Sequence, residues 1–312
     1  MRWGDTPRCE TYAMTDLKKL SHYIELAAVK LVKGLVWVLP LSVSRPFGAL
    51  LGWKAYRIFR IRRRVAVDNV KRALPFATSD AIADRIACAS YMNLGRSMME
   101  FVSIERLDAE TIRGMVEFES FAPFDDALAA GRGAVLFTGH IGNWELGAAA
   151  IWAYGYPIHA VVGRQSNPMV DAEINRARAS KYTGIIDRGS AFGLKGAFRA
   201  LVKNEFVAFV ADQDARQHGA FVEFLGRPAS THKGPAQFAV RNNSPVVAGF
   251  MHRIDDGKHG IELRPPMWPD RSLDEDTAVV ELMQRYTDAL ADAVRAHPTE
   301  YFWAHRRWKT TK

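Results

Sequence analysis

Cysteine is scarce in this chain of 312 residues, which contains only Cys9 and Cys88. Two such distant cysteines make neither the spacing of a metal site nor the framework of a disulfide-stapled domain. A reducing cytosolic environment fits this usage. A cysteine nucleophile that forms a thioester with the substrate is not expected.

The sequence also lacks a hydrophobic run long enough to cross a bilayer. Its longest uncharged stretch covers residues 34–44 and is interrupted by Pro40, whereas a spanning helix needs roughly 20 apolar residues. A removed signal peptide is not expected, because no short basic region leads directly into an apolar run at the N-terminus. The pattern therefore favours a chain that lies at a membrane interface over one that spans it.

The signature motifs of several enzyme classes are missing as well. The sequence contains no Gly-x-Ser-x-Gly nucleophile elbow, no Walker loop, no Gly-x-Gly-x-x-Gly after a strand and no His-Glu-x-x-His zinc pair. Their absence removes several competing chemistries. No cofactor and no metal are expected.

Positive charge is in excess. The 42 Lys and Arg residues outnumber the 34 Asp and Glu residues, which gives a net charge of +8. This balance favours an acidic partner: nucleic acid, an anionic lipid surface or an acidic protein. Nucleic acid is the least favoured of the three, because no helix-turn-helix, zinc-finger or RNP-type signature accompanies the basic residues.

The N-terminal region has the pattern of an amphipathic helix. Within residues 17–38, apolar side chains recur at helical spacing, with charged residues mostly between them; the apolar positions are Leu17, Leu20, Ile24, Ala27, Leu31, Leu35 and Val38. In residues 54–64, cations then alternate with aromatic and branched side chains. This stretch suits an anionic membrane surface, and an ordinary solvated basic helix is the alternative.

The periodicity divides the chain into a tail over residues 1–16, a membrane-associated helical region over 17–76 and a larger domain over 77–312. Helical patterning continues to about residue 130, with Ser79 or Asp80 predicted to cap a long helix and Asp108 a short one. Short apolar runs alternate with helical segments after Gly133. The predicted fold class is therefore α/β, with a mixed, largely buried sheet flanked by helices and an N-terminal amphipathic membrane-associated helical region.

The predicted strands cover residues 134–138, 158–162, 184–186, 206–211 and 246–250, and the segments 221–225 and 260–263 alternate enough to be edge strands. The predicted helices between and after them cover residues 144–154, 168–182, 191–203, 234–241 and 274–297.

The most informative segment for chemistry is residues 133–147, GAVLFTGHIGNWELG. A buried strand is predicted to end at Gly139, and a helix to begin near Asn143, so His140 falls at the carboxyl end of a strand, where open α/β sheets bind ligands. A neutral imidazole there can take a proton from a hydroxyl, and Glu145 could fix its tautomer and stabilise the imidazolium. The alternative is that His140 is a turn residue and Glu145 a first-turn acid favoured by the helix dipole.

The segment GHIGNWEL over residues 139–146 resembles the His-x4-Asp/Glu motif of the bacterial lipid A biosynthesis late acyltransferases, within the glycerolipid acyltransferase superfamily. The likeness extends to ADQD at 211–214, PTEYFWAHRRWKT at 298–310 and VDNV at 67–70, and it covers roughly residues 17–310. It implies direct transfer of an acyl group from a thioester to a hydroxyl of a membrane glycolipid, without an acyl-enzyme. The domain over 77–312 would then be the acyltransferase domain, with His140 and Glu145 as its catalytic pair.

Four further residues are substrate-binding candidates. The resemblance implies that Arg164 lies near the active site and binds anionic groups, whereas it could also be a surface residue of its loop. Asp212 and Asp214 follow a predicted strand, so they could orient Arg164 or a substrate hydroxyl, or simply form a polar turn. Lys233 precedes a predicted helix start and is a candidate contact for phosphate or pantetheine.

The predicted function is O-acyl transfer to a lipid A precursor at the cytoplasmic face of the cell inner membrane. The expected partners are acyl carrier protein or acyl-CoA as donor, a membrane glycolipid as acceptor and an anionic membrane surface, with no nucleic acid. The alternatives are transfer to a lysophospholipid or another glycolipid, and a nonenzymatic lipid-binding protein. Gln213, Ala215 and Arg216 depart from the usual neighbours of the second motif, which leaves the acceptor open.

Overall fold

A computed structural model describes residues 16–77 and 79–311 of the chain. The predicted tail over residues 1–16 lies outside these residues except for Asp16, which begins the first helix. No helix within the described ranges is long and apolar enough to cross a membrane.

Four helices make up the first third of the molecule: α1 (Asp16–Val38), α2 (Leu41–Arg57), α3 (Arg63–Ala73) and α4 (Asp80–Ser103). Pro40 precedes α2, and the Ser79 hydroxyl accepts a hydrogen bond from the amide of Ile82 to cap α4. Helices α2 and α4 touch through their backbones, since a Cβ on Gly48 would collide with the carbonyl of Gly95. Glycine is required at this crossing because any side chain would force the helices apart.

Helices and strands then alternate along the chain. The helices are α5 (Ala109–Met115), α6 (Ala122–Ala129), α7 (Trp144–Ala153), α8 (Pro168–Ala179), α9 (Ala191–Val202), α10 (Gly234–Asn242) and α11 (Glu275–Ala296). The strands are β1 (Val116–Phe118), β2 (Ala134–Thr138), β3 (Ile158–Val162), β4 (Gly184–Asp187), β5 (Phe206–Val210), β6 (Ala220–Phe224), β7 (Arg227–Thr231), β8 (Val246–Arg253) and β9 (His259–Leu263).

Seven of these strands form one sheet in the order β1-β9-β8-β2-β5-β3-β4. All neighbours are parallel except β8 and β9, so the predicted α/β class with a mixed sheet is confirmed. Of the two predicted edge strands, residues 260–263 are not at an edge, because β9 lies between β8 and β1. Strand β6 pairs with β7 alone, in a separate antiparallel hairpin, so it is an edge strand but not one of the main sheet.

The sheet is covered by helices on both faces, as its continuous apolar strands predict. Along β2, Val135 and Phe137 belong to a core that includes α10 and α11, and the ring of Phe137 stacks on Tyr286 of α11. The alternate residue Leu136 points to the other face, where it packs with α6 and α7. This double cover leaves the carboxyl ends of the parallel strands as the accessible edge of the sheet.

Helix α1 packs on the body of the protein through a face that carries both apolar and polar residues, with Val36 and His22 buried, and it turns a second apolar face outward. Asn167 donates to the carboxylate of Glu25 at 2.8 Å, and the ammonium of Lys33 lies 2.6 Å from Glu105. The predicted apolar face is exposed, with Leu31 75% and Val38 84% accessible. Burial in this chain therefore does not explain the apolar pattern of α1.

Candidate functional site

A histidine and an aspartate meet just beyond the ends of two neighbouring parallel strands. β2 and β5 pair in register, with Thr138 opposite Val210. His140 and Asp212 each follow two residues later and come together, with His140 Nδ1 2.6 Å from Asp212 Oδ1. The backbone N–H of His140 also donates to Asp212 Oδ2 at 3.0 Å, so the carboxylate holds both the ring and the backbone.

The loop that carries His140 is fixed by tight packing and by a helix cap. Gly142 has a φ of +61°, and a Cβ there would collide with the carbonyl of Met251, so both conformation and space require glycine. The Asn143 side chain accepts from the amide of Leu146 to cap α7, and its amide group donates to the buried carboxylate of Glu100 at 2.8 Å. The start of α7 is thereby anchored in the interior.

The electrostatics of the pair favour a charged imidazole. Burial opposes the charged form, but the negative charge of Asp212 and its hydrogen bond outweigh it, so the pKa of His140 is raised above its usual value. The same imidazole, against the cost of burial, lowers the pKa of Asp212 to about 2. Asp212 is 3% exposed and the His140 side chain 21% exposed, so the carboxylate is enclosed while the ring remains reachable.

The carboxylate predicted to orient His140, Glu145, does not make that contact. One oxygen of Glu145 lies 2.5 Å from Arg178 Nη2, and the other accepts from the hydroxyl of Tyr182 at 2.7 Å. The hydrogen-bonding position on Nδ1 of His140 is taken by Asp212. The negative charge of Glu145 still contributes to raising the pKa of His140, so its influence on the ring is electrostatic.

His140 and Glu145 line the same cavity, which has a volume of about 420 Å³. Trp144 packs edge-on against the imidazole, with ring centroids 4.7 Å apart, and lies in the cavity wall. Gln213 lines it too, with its amide nitrogen 3.5 Å from His140 Nε2. The second ring nitrogen of His140 therefore faces the side from which a substrate would approach.

Arg164 also lines this cavity, at its rim. It follows β3, is 77% exposed, and lies 2.7 Å from the carboxylate of Asp187 at the end of β4. Arg188 and His232 line the wall beside it; burial and the charge of Arg188 lower the pKa of His232. The strand ends thus supply cations as well as a base, although the role of Arg164 in substrate binding stays a prediction.

The other two binding candidates lie elsewhere. Asp214 accepts from the amide and the hydroxyl of Thr310, at 3.0 and 2.8 Å, so its carboxylate is occupied with the C-terminal segment. Lys233 directly precedes α10. Neither residue is among those that line the His140 cavity.

The C-terminal segment, residues 298–310, closes the back of the His140 loop. The amide of Phe302 donates to the carbonyl of His140 at 2.9 Å, and the amide of Gly142 donates to the carbonyl of Glu300 at 3.1 Å. Arg307 is buried and donates to the carbonyl of Ser230 at 2.7 Å. The Arg307 guanidinium therefore stabilises the interior of the fold and is not exposed to solvent.

Two smaller cavities, one apolar and one of mixed character, share lining residues with the His140 cavity. One, of about 60 Å³, lies between α7 and the sheet and shares Trp144 and Ala148 with it. The other, of about 220 Å³, shares Arg188 and His232 with it and extends toward Phe238 of α10. The polar His140 cavity thus lies beside an apolar cavity and a partly apolar one, which suits a substrate with a charged head and a hydrocarbon tail.

The arrangement can remove a proton from a bound hydroxyl and stabilise the resulting imidazolium. A carboxylate on Nδ1 leaves Nε2 as the basic nitrogen, and the cavity brings several cations near it. Sequence reasoning missed Arg178, Tyr182 and the pairing of Asp212 with His140. The strand-end position of Asp212 was the signal available, but the adjacency of β2 and β5 was needed to use it.

Comparison with known proteins gives a consistent picture. A family model described as bacterial lipid A biosynthesis acyltransferase matches residues 13–310. A lipid A biosynthesis palmitoleoyltransferase of Escherichia coli K12 is 21% identical over 283 residues, which cover 89% of each chain. A phosphatidylinositol mannoside acyltransferase of Mycobacterium tuberculosis H37Rv is 26% identical over 245 residues, covering 73% of this chain and 72% of its own. The relatives thus include acyltransferases named for two different lipids.

Proposed function

The chain belongs to the bacterial lipid A biosynthesis acyltransferase family, and on that basis we propose which groups carry the acyl transfer and what they act on. The resemblance seen in the sequence is confirmed, and the protein is an acyltransferase. We propose that it moves a fatty acyl group from an acyl thioester to a hydroxyl of a membrane glycolipid. The observation that carries this proposal is the His140–Asp212 pair at the wall of the cavity.

In the proposed reaction, His140 acts as the general base. Asp212, with a pKa of about 2, is ionised at neutral pH, so Nδ1 carries the hydrogen and Nε2 has the free lone pair. Nε2 takes the proton of the acceptor hydroxyl as its oxygen attacks the thioester carbonyl. The tetrahedral intermediate then expels the thiolate, which receives that proton from the imidazolium, leaving an ester and a free thiol.

We assign Glu145 a positioning role in this reaction. Its two oxygens hold Arg178 and Tyr182 in the wall of the His140 cavity. Its charge adds to that of Asp212 in favouring the imidazolium that forms during the attack. The Glu145 carboxylate therefore supports catalysis by fixing the cavity wall and stabilising charge, while Asp212 orients the ring.

The thioester donor is either acyl carrier protein or acyl-CoA. The cavity between α7 and the sheet, at about 60 Å³, has room for only a short part of its hydrocarbon tail, so the tail is proposed to enter there as side chains of the cavity wall move aside. That cavity is lined almost entirely by apolar side chains, among them Phe124, Ile151 and Met251, and touches the His140 cavity at Trp144. Burying a methylene contributes about 0.8 kcal/mol. A fatty tail placed there would hold the thioester carbonyl close to His140.

The acceptor proposed first is a lipid A precursor, and a different glycolipid is the second candidate. Relatives named for lipid A and for phosphatidylinositol mannoside have comparable similarity to this chain, so similarity alone does not choose between them. Arg164 and Arg188 at the rim fit an acceptor or donor with anionic groups. A lysophospholipid acceptor, or a nonenzymatic lipid-binding role, has no comparable support.

The proposed location is the cytoplasmic face of the inner membrane, reached through exposed apolar side chains of the first two helices. The outward face of α1 is continued along the chain by exposed Val43 and Leu50 on α2. Ile58 and Phe59 are exposed immediately before the run of arginines over residues 60–64. Apolar side chains next to cations suit an anionic lipid surface.

The decisive experiment compares lipids by mass spectrometry in cells that carry the wild-type gene, the gene for His140→Ala, or neither. The wild type is expected to add one acyl chain to a glycolipid, and His140→Ala to abolish that product, because loss of a general base typically costs about 10²–10⁴-fold in rate. The mass of the product identifies both acceptor and chain length.

The matched control is His218→Ala, an exposed histidine on the turn after β5, which should retain the product. Both variants must show wild-type circular dichroism and thermal unfolding. An acylated product at wild-type levels from a folded His140→Ala protein would reject the proposed base.

A further inference from the structure

Two histidines and a glutamate converge at a position outside the His140 cavity. His252 lies near the end of β8, Glu262 on β9 and His297 directly after α11. One potential metal-ligating atom from each lies within 4.8 Å of those of the other two. These residues come from three different elements, so the fold, and not local sequence, brings them together.

The register of β8 and β9 explains why His252 and Glu262 share a face of the sheet. The two strands are antiparallel, with Phe250 opposite Glu262 and His252 opposite Gly260. Opposed residues point to the same face, and so do residues two apart, which makes His252 and Glu262 diagonal neighbours. His297, directly after α11, lies on the same face.

Gly260 leaves the space that the first imidazole fills. A Cβ at this position would lie 2.7 Å from ring atoms of His252, closer than a side chain tolerates. The two imidazoles stack in parallel, with centroids 4.1 Å apart and planes inclined by 5°. The two rings therefore lie face to face beside one carboxylate, and at least one of them must rotate out of the stack before nitrogen lone pairs of both can point at a shared ion.

The contacts of these side chains leave ligating capacity unused. His297 Nε2 is 3.7 Å from the nearer oxygen of Glu262, beyond hydrogen-bonding distance. Arg264 donates one long hydrogen bond, of 3.5 Å, to the other oxygen of this carboxylate. Among the described residues, neither imidazole donates or accepts a hydrogen bond through its ring. A shared ion would satisfy all three groups at once.

We propose that His252, Glu262 and His297 bind a divalent transition-metal ion of the Zn²⁺ type. Two imidazoles and a carboxylate form an established three-ligand set for zinc, with a fourth position for water. Zinc bonds of about 2.0–2.2 Å require the ligating atoms to approach one another further. Because all three side chains are partly accessible, rotations about their χ angles can close these gaps.

The proposed metal would stabilise the segments that pack behind the loop carrying His140. Met251, which precedes His252, has its carbonyl against Gly142 of that loop. His297 comes three residues before Glu300, whose carbonyl accepts from Gly142. An ion that joins β8, β9 and the end of α11 would therefore stabilise the segment that backs His140 without touching substrate.

The test measures zinc binding to untagged full-length protein stripped of metal. Equilibrium dialysis with Zn²⁺, followed by elemental analysis, is expected to give one ion per chain. Co²⁺ is expected to give the visible absorption of a four-coordinate site, and Mg²⁺ no binding, because imidazole ligands suit zinc and not magnesium. Zinc should also raise the Tm of the wild type.

His297→Ala and Glu262→Gln should each weaken zinc binding by at least about tenfold and remove the Co²⁺ spectrum. His218→Ala, which deletes an exposed histidine outside the cluster, should leave both unchanged. Zinc binding that survives in folded His297→Ala and Glu262→Gln would overturn the proposal, as would no stoichiometric binding by the wild type. Because none of these readouts depends on acyl transfer, the outcome is separate from that of the proposed catalytic function.

Discussion

At the scale of single residues, the identity of the carboxylate on His140 governs the proposed chemistry. Asp212 receives both the Nδ1 hydrogen and the backbone N–H of His140, which fixes the tautomer and the direction of the ring together. Glu145 instead holds Arg178. The two carboxylates therefore differ in how their removal should change the pH dependence of the enzyme.

Replacement of Asp212 by asparagine should lower kcat by about 10²–10⁴-fold, because the imidazolium loses its counter-charge and the ring its enforced tautomer. In the wild type, kcat/KM should rise with pH through the pKa of free His140, with a midpoint above the ordinary value of 6.5, since only the neutral ring can act as base. In Asp212→Asn, burial is opposed only by the weaker influence of Glu145, so the midpoint should move to lower pH. Initial rates across a pH series give both quantities.

Asp292→Asn, an exposed carboxylate on α11 paired with Arg295, serves as the control and should match the wild type. An unchanged midpoint in a folded Asp212→Asn protein would show that Asp212 does not set the pKa of the catalytic group.

The sequence identified His140 as a candidate base and placed Asp212 at the carboxyl ends of the strands. It did not predict that the two side chains form a hydrogen bond. His140 could be located because a glycine-flanked histidine follows a short apolar run, a purely local pattern. The bond to Asp212 depends on β2 lying next to β5, with β3 and β4 intervening in sequence but not in space. Glu145 was assigned by proximity in sequence, and its engagement by Arg178 and Tyr182 required knowledge of how α7 meets α8.

At the scale of elements, α1 carries apolar side chains on both of its faces, and only one of these faces is covered by the rest of the protein. Val36 is buried against the protein body and Lys33 forms an ion pair with it there, while Leu31 and Val38 on the other face are exposed. An amphipathic helix normally buries its apolar stripe against the core. The second, uncovered apolar face of α1 is consistent with the proposed contact with a lipid surface.

Leu31→Asp should weaken binding to vesicles that contain anionic phospholipid by about tenfold or more, because inserting a leucine side chain contributes about 1.5–3 kcal/mol. Thermal unfolding should barely change, since the side chain is already exposed. Sedimentation with vesicles of graded anionic content measures the partition coefficient.

The matched variant is Val280→Asp, an exposed apolar residue on α11, for which the partition coefficient should remain that of the wild type. Equal losses in the two variants would indicate a general effect of added negative charge and would count against α1 as the contact.

Strands with strong local patterns were predicted closely. The ranges of β2 and β3 agree with the prediction, and Ser79 and Asp108 cap helices as expected. The three-residue strand β1 was missed because it is too short to interrupt the helical periodicity around it. Residues 260–263 were predicted to form an edge strand because apolar and polar residues alternate along them. Such alternation shows that one face of a strand is exposed, and a strand between two neighbours can have an exposed face as well.

At the scale of the whole molecule, the C-terminal segment connects the N-terminal helices to the catalytic loop. The buried amide of Asn69 on α3 donates to the carbonyls of Trp303 and His305, at 2.9 and 2.6 Å. The adjoining amide of Phe302 donates to His140. Helix α3 and the His140 loop are thus connected through the same C-terminal residues, although the division into a helical region and an acyltransferase domain at residue 76 stays a prediction.

Asn69→Ala should lower the free energy of unfolding by about 1–3 kcal/mol, because two buried carbonyls lose their donor. The Tm should fall by several degrees, at roughly 2–4 °C per kcal/mol, and kcat should fall below that temperature as the support of the His140 loop loosens. Differential scanning calorimetry and initial rates test the two effects.

Asn242→Ala, which removes two hydrogen bonds from a more accessible amide, is the comparison and should cost less stability without a loss of kcat. A Tm for Asn69→Ala equal to that of Asn242→Ala would contradict this account.

The in-register pairing of β2 with β5 makes the catalytic geometry intolerant of changes in length. One residue inserted into either strand end would advance one partner by about 3.3 Å and turn its side chain to the opposite face. The loops after β3 and β4 carry no such constraint, because their arginines reach the rim on long, flexible stems. Substrate preference can therefore diversify by insertion and deletion at that side of the cavity, while the spacing between each central strand and its acid or base must stay fixed.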